Sequence, residues 1–421
     1  MPPKIRMRVL PMSEIPSPHR WLTLIGIGED GPAGLGDDAK RLIAAAPVVF
    51  GGTRHIELVH TLVEGEAHSW LSPFEKSIEA VLARRGMPTV VLASGDPFYY
   101  GVGATLSRHV PASEMAVIPA PSSFSLAASR LGWPLQDVTV LSLHGRPLDL
   151  IRPHLHPGRK ILALTSDDQG PADLARLLQK TGFGQSTLTV LEALGGPYER
   201  VSTQRAAEFA LSGINDLNVC GIEVAASEGA RILPLSAGLD DSLFEHDGQI
   251  TKREIRALTL SALAPRQGEL LWDIGAGSGS IGIEWMLAHP SMRAIAIESS
   301  SERVARIRRN AASFGVPGLS VVEGQAPHAV AGLPAPDAIF IGGGGSDAGV
   351  MEAAIAGLKA GGRLVANAVT TEMEAVLLAE HARGGGSLIR IDIVRAAPVG
   401  TMTGWRPAMP VTQWSWVKPS E

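Results

Sequence analysis

A single cysteine, Cys220, stands in a chain of 421 residues. One thiol rules out an intrachain disulfide framework and any C-x-x-C metal or redox pair. Within the strand-like run Asn218–Val224 it reads as a small buried hydrophobe. Aromatic residues are scarce, at 5%, and no aromatic strip interleaved with basic residues offers nucleotide bases a stacking surface. Positive charge is not in excess either. The 37 Lys and Arg stand against 42 Asp and Glu, a formal charge of −5, whereas a general nucleic-acid binder normally carries a basic domain. No uninterrupted apolar run reaches bilayer length. The stretch 1–20, broken by prolines and charges, lacks the apolar centre of a signal peptide. The expectation is a soluble cytoplasmic protein with no membrane or nucleic-acid partner. No metal site is expected: His154 and His156 flank Leu155 beside prolines, with no acid or cysteine cluster near them.

Core-forming material is ample. Hydrophobic residues make up 45%, mean hydropathy is +0.14, and glycine and proline stay below the share typical of disordered chains. The length exceeds that at which single cores stop growing, so two domains are the default. From Trp21 onward short apolar runs alternate with amphipathic stretches, the pattern of an α/β architecture. Strands are predicted at Leu22–Ile27, Thr89–Ala93, Met115–Ile118, Val138–Leu143, Lys160–Leu164, Leu188–Leu191 and Leu217–Val224. Helices are predicted between them, among others at Gly36–Ala46, Gly101–His109, Ala172–Thr181 and Ala206–Leu211. The polar, acidic segment 238–249 reads as a linker. The expected organisation is a poorly ordered extension (1–20), a first domain (21–237), the linker and a second α/β domain (250–421). The second domain's last strands, near Ser387–Val394 and Thr412–Val417, should pair antiparallel at the sheet edge across a Gly/Pro-rich loop.

The densest signal lies at Leu271-Trp-Asp273-Ile-Gly275-Ala276-Gly277-Ser278-Gly279. An apolar strand, Glu269–Ile274, ends in an acid and a glycine turn, and a helix-like stretch, Ser280–Ala288, follows. Such a turn clears side chains so that a nucleoside cofactor can lie against backbone N–H groups at a helix N-terminus. Gly277 to Gly282 also satisfies G-x-G-x-x-G, the dinucleotide fingerprint, which is weak alone. Asp273 sits two residues before the first glycine, where the turn resembles Rossmann-like methyltransferases that use S-adenosylmethionine (SAM). The strand Arg293–Ile297 ends in Glu298, whose carboxylate suits ribose hydroxyls in either cofactor. Strand Asp337–Ile341 and the later Leu358–Val365 segment follow in the order those methyltransferases show. SAM is the favoured cofactor.

The first half carries Gly26-Ile-Gly28-Glu29 at one strand end, Ser94-Gly95-Asp96-Pro97 at another, Pro121-Ser122-Ser123 opening a helix, and Leu164-Thr165 at a third strand end. Small and polar residues at strand C-termini are where ligands bind in open α/β sheets. These blocks resemble the tetrapyrrole methylases. The second half resembles the partner methyltransferase of the same pathway, through its glycine turn, Thr251-Lys252-Arg253-Glu254-Ile-Arg256-Ala-Leu258 and Glu323-Gly-Gln325-Ala326-Pro327. Their order is similar to the family of fused precorrin-6B (precorrin-6Y) C5,15-methyltransferases, decarboxylating, of cobalamin biosynthesis. The resemblance implies SAM contacts at Gly28, Gly95, Asp96, Ser122, Ser123 and Thr165 in the first domain. In the second it implies Thr251, Asp273, Gly275 to Gly279, Glu298 and Ala326. Two departures stand out: Glu29 replaces a frequent proline, and Gln325 replaces an acid that would face adenine.

The same resemblance implies methylation at C5 by the first domain. It implies methylation at C15 and loss of the C12 acetate carboxyl by the second, giving precorrin-8X, and a homo-oligomer, a tetramer being one such form. Methyl transfer from SAM needs no protein nucleophile, so no catalytic residue is singled out. For a polycarboxylate ring the candidate anchors are Lys252, Arg253 and Arg256, with His328 as a further candidate; each has a plain surface reading beside it. Arg303, Arg306, Arg308 and Arg309 read as a solvated helix face, and Gly342–Gly345 as either a substrate approach or a flexible turn. The rival readings are an RNA methyltransferase and an NAD(P)-dependent oxidoreductase using Gly277–Gly282.

Overall fold

The computed structural model describes residues 20–420; the extension expected to be poorly ordered lies outside them, Arg20 apart. Two compact units form. One comprises the chain up to Gly145 together with Pro157–Glu228, the other Arg146–His156 together with Gly229 onward.

The first unit opens with β1 (Leu22–Ile27), β2 (Val48–Gly51), β3 (Glu66–Ser69), β4 (Thr89–Ser94) and β5 (Met115–Ile118). They form a parallel sheet in the order β3-β2-β4-β1-β5. β1 and β4 are buried along nearly their whole length, as a parallel sheet covered on both faces requires. A second sheet contains β6 (Val138–Ser142), β7 (Lys160–Leu164), β8 (Thr187–Glu192), β9 (Arg200–Arg205) and β10 (Asn218–Glu223), in the order β6-β7-β10-β8-β9. Only β6 and β7 run parallel there. Cys220 is buried in β10, and burial pushes its thiol up to about 12, so it is inert as a nucleophile. The helix expected at Ala206–Leu211 is only a three-residue turn, Ala206–Glu208.

The second unit is built on β11 (Leu270–Ile274), β12 (Arg293–Glu298), β13 (Ser320–Glu323), β14 (Ala338–Ile341), β15 (Arg363–Ala368), β16 (Ser387–Ile391) and, after a hairpin, β19 (Val411–Val417). The sheet order is β13-β12-β11-β14-β15-β19-β16. The first five strands are parallel, and β19 runs antiparallel to both neighbours. The expected antiparallel edge pair is present, with β16 outermost. What reads in sequence as a loop between them contains the hairpin β17 (Val394–Val399) and β18 (Met402–Pro407), which exposes Val399, Met402 and Trp405.

The segment 238–249 is not a free linker, and the unit boundary falls before Gly229 rather than at Gly238. Leu239 and Phe244 belong to the second unit's core with Leu260 and Phe314. Arg256, on the helix Arg253–Leu263, holds the segment down. Its Nε donates to Glu284 at 2.5 Å, one Nη donates to Asp241 at 3.1 Å and to the Thr251 carbonyl, and the other donates to the Leu239 carbonyl. Glu284 accepts from the Gly238 and Leu239 amides at 2.7 and 3.0 Å. Asp247 pairs with Arg303 and Arg306, and Glu245 with Arg309. Two expectations are thereby corrected. Arg256 is wholly buried and is a structural clamp, not a substrate anchor. Of the arginines on the helix Ser301–Ser313, Arg303, Arg306 and Arg309 grip the preceding acidic segment, while Arg308 is exposed.

Removing one member of a buried, hydrogen-bonded ion pair leaves the other charge uncompensated. Arg256→Met should therefore lower stability by about 3–5 kcal/mol. Denaturant unfolding of the full chain should show an early transition; an unchanged midpoint would contradict the clamp.

Candidate functional site

Each unit has a cleft at the carboxyl ends of its strands. In the second it measures about 780 Å³, toward the upper end of ordinary small-ligand cavities. Gly275, Ala276 and Gly277 form part of its floor, with Thr251, Glu298 and Ala326 around them. Gly275 sits at φ +70°, and a Cβ there would lie 2.5 Å from the Gly343 carbonyl oxygen. Backbone meets backbone at this point, and only glycine fits. Gly342, Gly343 and Gly344 also line the cleft, whereas Gly345 does not.

Glu298 is buried at the tip of β12. One carboxylate oxygen accepts from Gly277 N at 2.9 Å and the other from Ser300 N at 3.0 Å. Each oxygen keeps lone pairs for a further donor. Gln325 lines the same cleft and donates from Nε2 to Asp347 at 3.0 Å, which leaves its amide oxygen free to accept. The amide thus keeps its oxygen as an acceptor and one N–H as a donor in the cleft.

Three residues expected to touch cofactor do not line the cleft. Asp273 is buried beneath the turn, and its Oδ2 accepts from Gly282 N at 3.0 Å in the first turn of the helix Ser280–Leu287, where a carboxylate meets the helix's positive end. Ser278 is buried and its carbonyl accepts from Asn310 Nδ2 at 2.9 Å. Gly279 lies against Ile307. These residues shape the turn from behind. Of the run Gly277–Gly282 only Gly277 reaches the cleft. Among the cationic candidates Lys252 lines it, whereas Arg253 and His328 do not. Arg303, Arg395 and Asn367 line it without having been anticipated. Arg303 sits in a run that reads as surface, and Arg395 in a segment that reads as loop.

The first unit's cleft measures about 370 Å³. Gly28, Gly95, Ser122, Ser123 and Thr165 line it. Asp96 lines an adjoining recess of about 310 Å³ that shares Tyr99 and Ser122 with it. Gly26 makes the floor possible: a Cβ there would lie 1.9 Å from the Gly95 carbonyl oxygen. Asp96 accepts from Phe98 N at 2.8 Å and so fixes its own turn. Ser122 caps the helix Ser123–Leu131, accepting from Ser125 N at 3.1 Å. Thr165 donates to Asn218 Oδ1. Glu29, the departure from proline, pairs with Arg54. Beside Arg54, His55 bonds Ser94 Oγ at 2.8 Å, and burial, helped by the Arg54 charge, lowers its pKa to about 4, so it is neutral at physiological pH.

Two α/β units, each with a cleft at the carboxyl ends of its strands where backbone forms part of the floor, define the class of protein. Comparison with known proteins gives the class its family. Residues 21–210 match the tetrapyrrole (corrin/porphyrin) methylases, and residues 242–418 match the precorrin methyltransferase domain. A precorrin-6Y C(5,15)-methyltransferase [decarboxylating] of Sinorhizobium is 74% identical over 94% of this chain and 96% of its own length. A cobalt-precorrin-7 C(5)-methyltransferase of Salmonella typhimurium is 30% identical over 43% of this chain and 88% of its own. A probable cobalt-precorrin-6B C(15)-methyltransferase (decarboxylating) of Pyrobaculum calidifontis is 37% identical over 32% of this chain and 71% of its own. The chain belongs to the family of precorrin-6Y C(5,15)-methyltransferases, decarboxylating.

Burial, with the Glu298 charge adding to it, pushes the Asp273 carboxyl up to about 7. A folded-state value above the ordinary carboxyl value of about 4 means that the native state holds the proton more tightly. This residue therefore favours the fold most at low pH, and its contribution declines as pH rises from about 4 to 7. Asp273→Asn cannot ionise. The melting temperature of the variant minus that of wild type should grow between pH 5 and pH 8; a difference that does not change with pH would contradict this.

Proposed function

We propose that this chain methylates a precorrin-6B-type tetrapyrrole twice, at C5 in the first unit and at C15 in the second, and removes the C12 acetate carboxyl in the second, giving precorrin-8X. The observation that carries the reading is the pairing, in one chain, of two clefts floored by backbone at the strand ends. The names of the relatives support the division of labour, since separate C(5) and C(15) enzymes each resemble part of this chain.

SAM fits the second cleft by donor and acceptor count. Glu298 has spare lone pairs for ribose hydroxyls, Gln325 presents an amide oxygen for an adenine amino group, and Gly275 to Gly277 admit the cofactor against the main chain. In the first cleft Gly28, Gly95, Ser122 and Thr165 are the matching set. Bound SAM supplies an electrophilic methyl group. The protein's work is to hold an electron-rich ring carbon in line with it, and alignment of that kind is worth roughly 7–11 kcal/mol at most. Lys252, Arg303 and Arg395 at the second cleft suit a ring bearing many carboxylates. Loss of CO2 leaves an electron pair on carbon, for which the conjugated ring is the sink. Among the described residues no helix is long and apolar enough to cross a membrane; a cytoplasmic homo-oligomer, with a tetramer as one form, completes the reading.

Mass analysis tests it. Incubated with precorrin-6B and SAM, the full chain should yield a product with two added methyl groups and one CO2 lost. Glu298→Ala should suppress CO2 loss and one methylation by tenfold or more, because two backbone donors and the ribose lose their acceptor. Unchanged substrate, or binding of NAD(P) without binding of SAM, would overturn the proposal.

A further inference from the structure

The second cleft crosses the ends of β12, β11, β14 and β15, three strand spacings or about 14 Å. Glu298 and the glycine turn hold one end. At the other, over β15, lie Asn367, Val369, Arg395 and Met409. Cofactor at the first end places the methyl acceptor at the second.

Asn367 of β15 stands directly opposite Gln413 of β19 in the antiparallel ladder, and Thr259 of the helix Arg253–Leu263 bonds both. The Thr259 hydroxyl donates its one proton to the Ile255 carbonyl at 2.8 Å. It can therefore only accept from its other neighbours. Asn367 Nδ2 donates to it at 3.0 Å and Gln413 Nε2 at 3.1 Å. The second N–H of Gln413 goes to Asn367 Oδ1 at 2.9 Å. Reversing the Asn367 amide would set oxygen against an oxygen with no proton to give, and nitrogen against nitrogen. Its orientation is thus fixed by counting protons.

Thr259 and Gln413 are buried, while Asn367 is half-buried and lines the cleft. After its two internal bonds, the Asn367 amide retains one N–H and one oxygen lone pair. A buried polar triad is unfavourable unless fully satisfied, and strand pairing alone would be served by apolar residues. What the triad adds is one amide held rigidly at the acceptor end of the cleft.

We propose that Asn367 is a binding residue for the tetrapyrrole in the second unit, donating its free Nδ2–H to an acceptor atom of that acceptor-rich, polycarboxylate ligand, with Thr259 and Gln413 as its positioning residues. This rests on the functional reading above and adds the group that orients the ring there. Arg395, paired with Glu254, lies in the same compartment and supplies charge, whereas Asn367 supplies direction.

Three full-length variants test it: Asn367→Ala, Thr259→Val and Thr259→Ser. The readouts are the KM for the tetrapyrrole in CO2 release and, separately, SAM affinity by calorimetry. Asn367→Ala should raise KM about tenfold or more, the usual effect of losing a hydrogen bond to a charged partner, and leave SAM affinity within twofold. Thr259→Val should raise KM severalfold, and Thr259→Ser, which keeps the hydroxyl, should restore it. The inference is overturned if Asn367→Ala leaves KM within twofold of wild type. It is equally overturned if that variant loses SAM binding and turnover together, since the triad would then be purely structural. A wild-type chain that binds SAM yet releases no CO2 would sink the functional reading, and this inference with it.

Discussion

Main chain packs on main chain at the floor of both clefts, and the rest of the architecture serves that contact. At Gly26 and at Gly275 a single added carbon would overlap a neighbouring carbonyl oxygen. Parallel sheets bring several strand ends to one edge; a ligand can lie across that edge only where side chains are absent. The two units reach this condition differently. In the first the approach is between β1 and the Gly95 turn, with Gly26 still extended. In the second the turn after β11 meets the glycine run after β14, and Gly275 adopts a conformation that side-chain-bearing residues rarely take.

A bare floor needs walls, and in the second unit these are polar clamps. Arg256, Glu284 and Asp241 pin the segment before the helix Arg253–Leu263, and the clamp accepts no substitute of the same charge but different shape, because each guanidinium nitrogen has its own acceptor. Asp247, held well below the usual carboxylate range by Arg303 and Arg306, ties the same segment to the helix Ser301–Ser313. Thr251 and Lys252 reach the cleft only because this strap is fixed. Behind the floor, Asp273 caps a helix; beside it, Glu298 bonds Gly277. The two acids play different parts although both end a strand.

Much of this is legible in the sequence, and the failures have different causes. Long apolar strands such as Leu22–Ile27 and Lys160–Leu164 have in the structure the bounds that the sequence predicts, because burial on both faces writes itself as a continuous run. β3 (Glu66–Ser69) and β9 (Arg200–Arg205) lie largely exposed at sheet edges, and polar edge strands look like loops. The glycine turn and Glu298 carried their own signal. Arg256 misled, since a charged residue at a helix start resembles a surface group until its partners are known; Glu284 is 28 positions away and Asp241 lay in a stretch that read as linker. Asp273 misled for the opposite reason, as its spacing from the glycines pointed to ligand while its side chain turns inward to Gly282. Asn367 could not have been found, because its significance lies in Gln413 and Thr259, residues joined to it only by the ladder and the helix packed upon it.

The central claim is that one polypeptide offers two independent seats for the same methyl donor. Equilibrium calorimetry of the full-length chain with SAM, or with its demethylated product, measures this most directly. The account requires a stoichiometry of two per chain. A stoichiometry of one, or no binding at all, would contradict it.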